Sequence, residues 1–175
     1  MARGVSKLLA RFRGSKLREE AVCYAYEESL FICAISEVRN GPGVEWEPYY
    51  RLSSADSDDA IGKVLSQVLD GSGLILKLKD PTELQNARKE QLRVAGFSSE
   101  QNLMKRAVLC IVERLPKSIR FTPTHNGGTR GDTKGFHHLT EIATTIPFPA
   151  TDSEIGAALR VAVRSCTRSI DAPAA

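Results

Sequence analysis

The side chains best equipped for chemistry are concentrated in one stretch, Thr122-Pro123-Thr124-His125-Asn126-Gly127-Gly128-Thr129-Arg130-Gly131-Asp132-Thr133-Lys134-Gly135-Phe136-His137-His138, which holds all three histidines of the chain. Three chemistries could draw on it. Imidazoles with the Asp132 carboxylate would make a set of metal ligands. A glycine-rich loop with Arg130 and Lys134 could cradle a phosphate on backbone N–H groups. A small hydrolase or nuclease could be built on His125, His137 and Asp132. Spacing argues against each. Adjacent residues of a strand point to opposite faces, so His137 and His138 cannot serve one centre. No His-x-x-x-His or Cys/His cluster supports zinc. The glycines match neither the P-loop nor the dinucleotide fingerprint, and they do not lead from a strand straight into a helix. A long polar hairpin, mobile or presented to a partner, accounts for them.

The four cysteines, Cys23, Cys33, Cys110 and Cys166, contain no Cys-x-x-Cys pair. Three lie in apolar, strand-like runs and the fourth on the apolar stripe of the last helix. They read as buried free thiols in a reducing compartment, which predicts a cytoplasmic protein. Apolar surroundings raise a thiol pKa, and no Gly-x-Ser-x-Gly motif is present, so nucleophilic catalysis finds no support. Asp56, Asp58, Asp59, Asp152 and Glu154 are explained by helix capping. The residues show no assembled chemistry, and neither a cofactor nor a metal is expected.

The elements that position these residues come as a repeat. Thr151-Asp152-Ser153-Glu154-Ile155-Gly156 and Ser57-Asp58-Asp59-Ala60-Ile61-Gly62 follow one plan, with Ile61 and Ile155 spaced by 155 − 61 = 94 positions. Thr151 with Glu154 three residues on is a capping box, and Asp152 and Glu154 lie at the positive end of the helix dipole. Ile61, Val64, Leu65, Val68 and Leu69 form one apolar stripe; Ile155, Ala158, Leu159, Ala162, Val163 and Cys166 form the other. Glycine inside a helix costs roughly 1 kcal/mol against alanine. The shared positions of Gly62 and Gly156 predict that each helix start lies close against another backbone, packed on a sheet. Chance similarity of two ordinary capped helices is the alternative.

Around these helices the strand signals repeat. Val22 to Tyr26 and Leu30 to Val38 read as paired strands, Asn40-Gly41-Pro42-Gly43 as a turn, and Val44 to Leu52 as a third strand at an edge, because Pro48 cannot donate to a ladder. Leu74 to Leu78 is of uncertain state. Pro81 opens a helix that breaks at Gly96, and Ser98-Ser99-Glu100 begins a shorter one. Ala107 to Leu115 is a buried strand, Ile119 to Thr122 the next, and Phe136 to Ile146 a third. The expected fold is α+β: an antiparallel or mixed sheet, or two sheets, covered by helices in two similar strand-strand-loop-strand-helix halves. Residues 1–20, with Val5, Leu8, Leu9 and Phe12 at helical spacing, form a basic N-terminal arm or short helix. Residues 21–170 form one domain, with halves at about 21–73 and 106–168 and a helical connector at 80–105.

Composition narrows the class. The chain has 175 residues, 42% hydrophobic and 26% charged, with a net charge of +3. These are the proportions of a globular protein, and the small net charge is far from the footprint of a nucleic-acid binder. No apolar run approaches the roughly 20 residues needed to span a bilayer, and the basic N-terminus lacks the apolar region of a secretory signal.

A set of short motifs, in order, carries a family resemblance. They are the extended segment ending Tyr49-Tyr50-Arg51-Leu52-Ser53, the Asp58-x-x-Ile61-Gly62 helix, Ala95-Gly96-Phe97-Ser98-Ser99, the Thr122-Pro123-Thr124 exit from a strand, the Gly127-Gly128 loop, and the closing Asp152-x-x-Ile155-Gly156-x-x-Leu159 helix. From Leu30 to Cys166 the chain resembles the immunity proteins of bacterial contact-dependent growth inhibition systems. The resemblance implies a cytoplasmic, non-enzymatic protein that neutralises the C-terminal toxin domain of a CdiA-type exoprotein, mostly a nuclease, by covering its active site or a nearby surface. It implies no transferable contact residues. Many nuclease immunity proteins are acidic, whereas this chain has a pI near 8.7. Tight interfaces use aromatic and arginine anchors, which makes Trp46, Tyr49, Tyr50 and Arg51, with Arg130, Lys134 and His137 on the loop, the candidate toxin-binding residues. Trp46 could equally belong to the core. Neither a membrane nor direct nucleic-acid contact is expected. The alternative is a nucleic-acid-binding protein using the basic N-terminal arm and the Arg130/Lys134 loop.

Overall fold

The computed structural model describes residues 18–78, 80 and 82–169. The expected N-terminal arm lies outside them up to residue 17, as does Pro81 at the start of its helix. The elements run β1 (Glu19–Tyr26), β2 (Ser29–Val38), β3 (Gly43–Ser53), α1 (Asp58–Gly71), β4 (Ile75–Leu76), α2 (Thr82–Ala95), α3 (Glu100–Arg106), β5 (Val108–Leu115), β6 (Ser118–Asn126), β7 (Phe136–His138), β8 (Thr144–Pro147), α4 (Asp152–Ser165) and β9 (Thr167–Arg168). The fold is α+β, as expected. One nine-stranded, mostly antiparallel sheet has the path β3-β2-β1-β5-β6-β7, and β8 also pairs with β6. Among the described residues only β4 on β2 and β9 on β6 are parallel.

Register makes the halves equivalent. In the first, Ser29, Leu30, Phe31 and Ile32 of β2 face Ser53, Leu52, Arg51 and Tyr50 of β3. In the second, Ser118, Ile119, Arg120 and Phe121 of β6 face Pro147, Ile146, Thr145 and Thr144 of β8. The exit from the third strand is bonded alike, Ser54 N–H to the Glu28 carbonyl at 2.8 Å and Phe148 N–H to the Lys117 carbonyl at 2.9 Å. Ser57 and Thr151 then cap α1 and α4 through their hydroxyls, and Thr151 with Glu154 completes the capping box. After each helix a two-residue strand joins the sheet in parallel. The first strands of the halves pair at the centre, Cys23 opposite Cys110 and Val22 opposite Ile111. The halves are thus arranged about a pseudo-two-fold axis between β1 and β5.

Alternation along the strands divides the core into two layers. Ala21, Cys23, Leu30, Ile32, Cys110, Val112, Ile119 and Phe121 face α1 and α4, where Ile61, Leu65, Val68, Ile155, Leu159 and Ala162 are buried. On the other face, Val22, Tyr24, Phe31, Cys33 and Leu109 pack with Ala95, Phe97, Leu103 and Ala107, contributed by α2, α3 and their ends.

Two expectations need correction. Gly62 and Gly156 do lie against backbone, but that backbone is not the sheet. A Cβ on Gly62 would stand 1.7 Å from the Asp152 carbonyl oxygen, and one on Gly156 1.9 Å from that of Asp58, so each glycine accommodates the first turn of the other helix. Phe136 to Ile146 is not one strand. It forms β7, a 3-10 turn over Thr140–Ile142, and β8. The break lies beside Pro123, whose carbonyl accepts from Leu139 N–H at 2.9 Å on the side where proline has no N–H to return. β6 itself runs on to Asn126, beyond the expected end at Thr122.

Candidate functional site

The candidate site lies where the halves differ. Their equivalent positions on the face away from α1 and α4 carry different side chains. In the first half Tyr24 and Phe31 are 4% and 0% exposed beneath α2 and α3. Register equivalence sets Glu113 in the place of Tyr24, Arg120 in that of Phe31, and Thr145 in that of Arg51. Here the sheet floors a hollow of about 490 Å³ lined by Glu20, Ile111, Glu113, Arg120, Thr122 and His138, among others. The 74–106 connector caps one half only, and where it stops the sheet turns from aromatic to charged.

The charges form a row across three strands. Glu20 of β1 faces Glu113 of β5, and Glu113 faces Arg120 of β6. Like charges directly opposite repel, and an opposite charge next in the row relieves them. Nε and Nη2 of Arg120 both donate to Oε2 of Glu113. Among the described residues no donor reaches the Glu20 carboxylate. Burial, with the Glu113 carboxylate and more weakly that of Glu37, holds its carboxyl above the ordinary range, although Arg18 and His138 pull the other way. Beside this hollow opens a second, about 610 Å³, which shares Arg18, Glu113 and Arg120 and carries Leu115 and Phe148 on its wall. Leu115 is 41% exposed, one of few large apolar side chains so open to solvent among the described residues.

The residues singled out from sequence divide between the two edges of the sheet. On β3, Tyr49 is half-buried against the core: its ring stacks on Phe31 with centroids 6.1 Å apart, and its hydroxyl donates to the Ala87 carbonyl. Burial raises its pKa. Tyr50 packs against the α1/α4 layer. Trp46, opposite Ala34, is half-buried. Arg51 is exposed, donates to Ser29 Oγ at 3.1 Å and lies 5.9 Å from the Tyr26 ring centroid. At the far edge, Arg130 and Lys134 are exposed on the loop, and exposed His137 bonds through Nε2 to the Thr133 carbonyl at 2.7 Å.

The histidines do not assemble a centre. His125 faces His137 across β6 and β7, but its ring nitrogens are bonded to the hydroxyls of Thr167 and Ser169 at 2.8 and 3.0 Å. His138 turns to the other face and lines the hollow. Among the described residues no three His, Cys, Asp or Glu side chains are placed to hold a metal ion. The glycine loop closes on itself: Gly127 N–H donates to Gly135, Gly135 N–H to Gly128, and Gly128 N–H to the Asn126 side chain. Those donors are not free for a phosphate. Glu20, Glu113 and Arg120 escaped the sequence reading. The available signal was Glu113, a charge in phase with Leu109 and Ile111 in the run Ala107 to Leu115, where Arg114 carries the other charge.

Comparison with known proteins identifies the fold's relatives. A family model described as CDI immunity protein matches residues 20–166. The chain belongs to the CDI immunity protein family. The match spans both halves and the connector. No curated protein matches the chain. Two solved structures share the fold. A protein of unknown function from Neisseria meningitidis is 15% identical with a TM-score of 0.67, over 87% of this chain and 98% of that one. A chain of the CdiA-CT/CdiI toxin and immunity complex from Yersinia pseudotuberculosis is 16% identical with a TM-score of 0.65, over 85% of this chain and 97% of that one. Among the described residues no helix is long and apolar enough to cross a membrane.

Proposed function

We propose that this CDI immunity protein binds the C-terminal toxin domain of a CdiA-type exoprotein in the cytoplasm and neutralises it by covering its active site, without catalysing a reaction itself. The observation that carries the reading is the family match over residues 20–166. A relative of the same fold comes from a complex of toxin and immunity protein, which agrees with it. A nuclease is the toxin class that the family resemblance implies. Trp46 and Arg51 at one edge, and Arg130, Lys134 and His137 at the other, are the contact candidates with exposed surface. Tyr49 and Tyr50 support β3 from within.

Co-expression tests this directly. The C-terminal domain of the exoprotein encoded beside this gene should arrest growth when produced alone, and growth should be restored when this protein is produced with it. The two should co-purify. Unrelieved arrest with no co-purification would refute the reading. Degradation of RNA or DNA by the free toxin domain, suppressed by this protein, would establish the nuclease assignment.

A further inference from the structure

The connector enters β5 beside the end of β1, where Ala25 faces Val108. There it seals Tyr26, which is 6% exposed. The Tyr26 ring meets that of Phe97 edge-on with centroids 4.6 Å apart, its hydroxyl donates to the Ala95 carbonyl, and Arg106 pairs with neighbouring Glu27. The pseudo-two-fold axis exchanges these roles. Ala25 opposite Leu30 corresponds to Arg114 opposite Ile119, so Leu115 takes the place of Tyr26, and Arg18 that of Ala107. β1 in turn starts beside the end of β5, with Glu19 facing Arg114. By this symmetry the chain leading into β1 arrives across the hollow, as the connector arrives across Tyr24 and Phe31.

Arg18 marks the point of entry. It lines both hollows, and its backbone is fixed there. Glu20 N–H donates to Ser72 Oγ at 2.9 Å, and a Cβ on Gly73 would stand 2.1 Å from the Arg18 carbonyl oxygen. The charges lining the hollow, Glu20 and Glu113 against Arg18, Arg120 and His138, are near balance, so connectivity and not charge selects the occupant. The apolar mark of the site is Leu115, 41% exposed where its counterpart Tyr26 is covered. Phe97 precedes Ala107 by 107 − 97 = 10 positions, and 10 positions before Arg18 stands Leu8, followed by Leu9 and Phe12. From β5 across β6 to β8 the face is about 10 Å wide, at roughly 4.8 Å per strand, and ten helical residues reach about 15 Å. A tethered segment also acts at a roughly millimolar effective concentration, which favours it over a separate partner. We propose that residues 5–17 fold back over the hollow and set Leu8 on Leu115, covering the second half as the connector covers the first.

Limited trypsin digestion of the full chain tests this, because Arg11 and Arg13 are cleavage sites within the segment. Cleavage of a docked segment tracks the population in which it has opened. Leu115→Asp should speed cleavage after Arg11 and Arg13 about 10-fold or more, and Leu8→Asp should do the same. The two together should add little further, since both break one contact. Val161→Asp makes the same kind of change at a 51% exposed site on α4, behind the sheet, and should leave the rate unchanged. Circular dichroism should show the fold intact in every variant. A nitroxide on Thr145→Cys, at the exposed rim of the hollow, should broaden the amide signals of residues 5–17, and one on Val161→Cys should not. If the parent is cut as fast as Leu115→Asp, the segment is not docked and the proposal falls. Protection that neither Leu8→Asp nor Leu115→Asp relieves would place the segment elsewhere and overturn it too. Protection lost on dilution would mean that a second copy's segment fills the hollow, which also overturns it. No toxin is present, so the outcome is independent of the toxin-binding reading.

Discussion

Gly62 of α1 lies so close to Asp152 of α4 that a Cβ on it would stand 1.7 Å from the Asp152 carbonyl oxygen, and Gly156 holds the same relation to Asp58 at 1.9 Å. The crossing is reciprocal in its polar contacts too. Ser66, one turn beyond Gly62, donates to the Asp152 carboxylate at 3.2 Å, and Arg160, one turn beyond Gly156, donates to that of Asp58. Two helix starts approach to backbone contact over the centre of the sheet, locking the halves together on the side away from the hollow.

Alanine at either glycine must therefore force the helices apart. Gly62→Ala and Gly156→Ala should each destabilise by about 3 kcal/mol, measured by urea denaturation. Similar losses are expected because the sites are equivalent. A loss confined to one of them would mean that the crossing is not symmetric in energy.

Arg160 carries more than its counterpart Ser66. Besides Asp58 it donates to the Ser54 and Asp56 carbonyls, tying down the turn between β3 and α1. Arg160→Met should cost about 2–3 kcal/mol by leaving those acceptors unmet, against about 1 kcal/mol for Ser66→Ala. Comparable denaturation midpoints for the two variants would contradict this.

Glu20 gives the stability a pH dependence of predictable sign. Burial and the facing Glu113, with Glu37, raise its folded pKa against Arg18 and His138. The folded state then holds the proton more tightly than the unfolded chain, so the associated stability is complete below the ordinary carboxylate range and is lost as pH rises through the raised value. Glu20→Gln removes that loss. Its melting temperature should exceed the parent's at neutral pH, and the two curves should converge in acid. A gap that widens toward acid would reverse the assignment.

The thiols should be inert in the folded protein. Cys23, Cys33 and Cys110 are buried, and desolvation raises all three pKa values. Cys166 is half-buried and raised for the same reason. Ellman's reagent should label the native protein slowly and all four cysteines rapidly in denaturant. Rapid labelling of a native thiol would show an opening that the packing does not predict.

The helices were legible because their causes are local. Ser57 and Thr151 as caps, Ser99 before α3 and the break at Gly96 follow from hydroxyl and glycine chemistry within a few residues. The buried strands were legible from apolar alternation. Phe136 to Ile146 misled because its β-branched residues favour a strand throughout, while the interruption comes from Pro123 on the neighbouring strand. Tyr49 and Tyr50 look like interface anchors in the sequence, and their half-burial, Tyr49 against α2 on one face of the sheet and Tyr50 against the other layer, is set by what packs over β3.

Sequence alone determined the α+β class, both capped helices, the doubled Ile-Gly plan and the family resemblance, since each is written in neighbouring residues or in ordered motifs. The tertiary structure decided which surfaces meet. It set Gly62 and Gly156 on each other's helix starts, and it brought Glu20, Glu113 and Arg120 into one row from three strands. Among the described residues nothing covers that row, because the connector that buries Tyr24 and Phe31 reaches across only one of two equivalent halves. Long-range pairing in a sheet is fixed by register and by what packs over it, and neither is carried by any single stretch of chain.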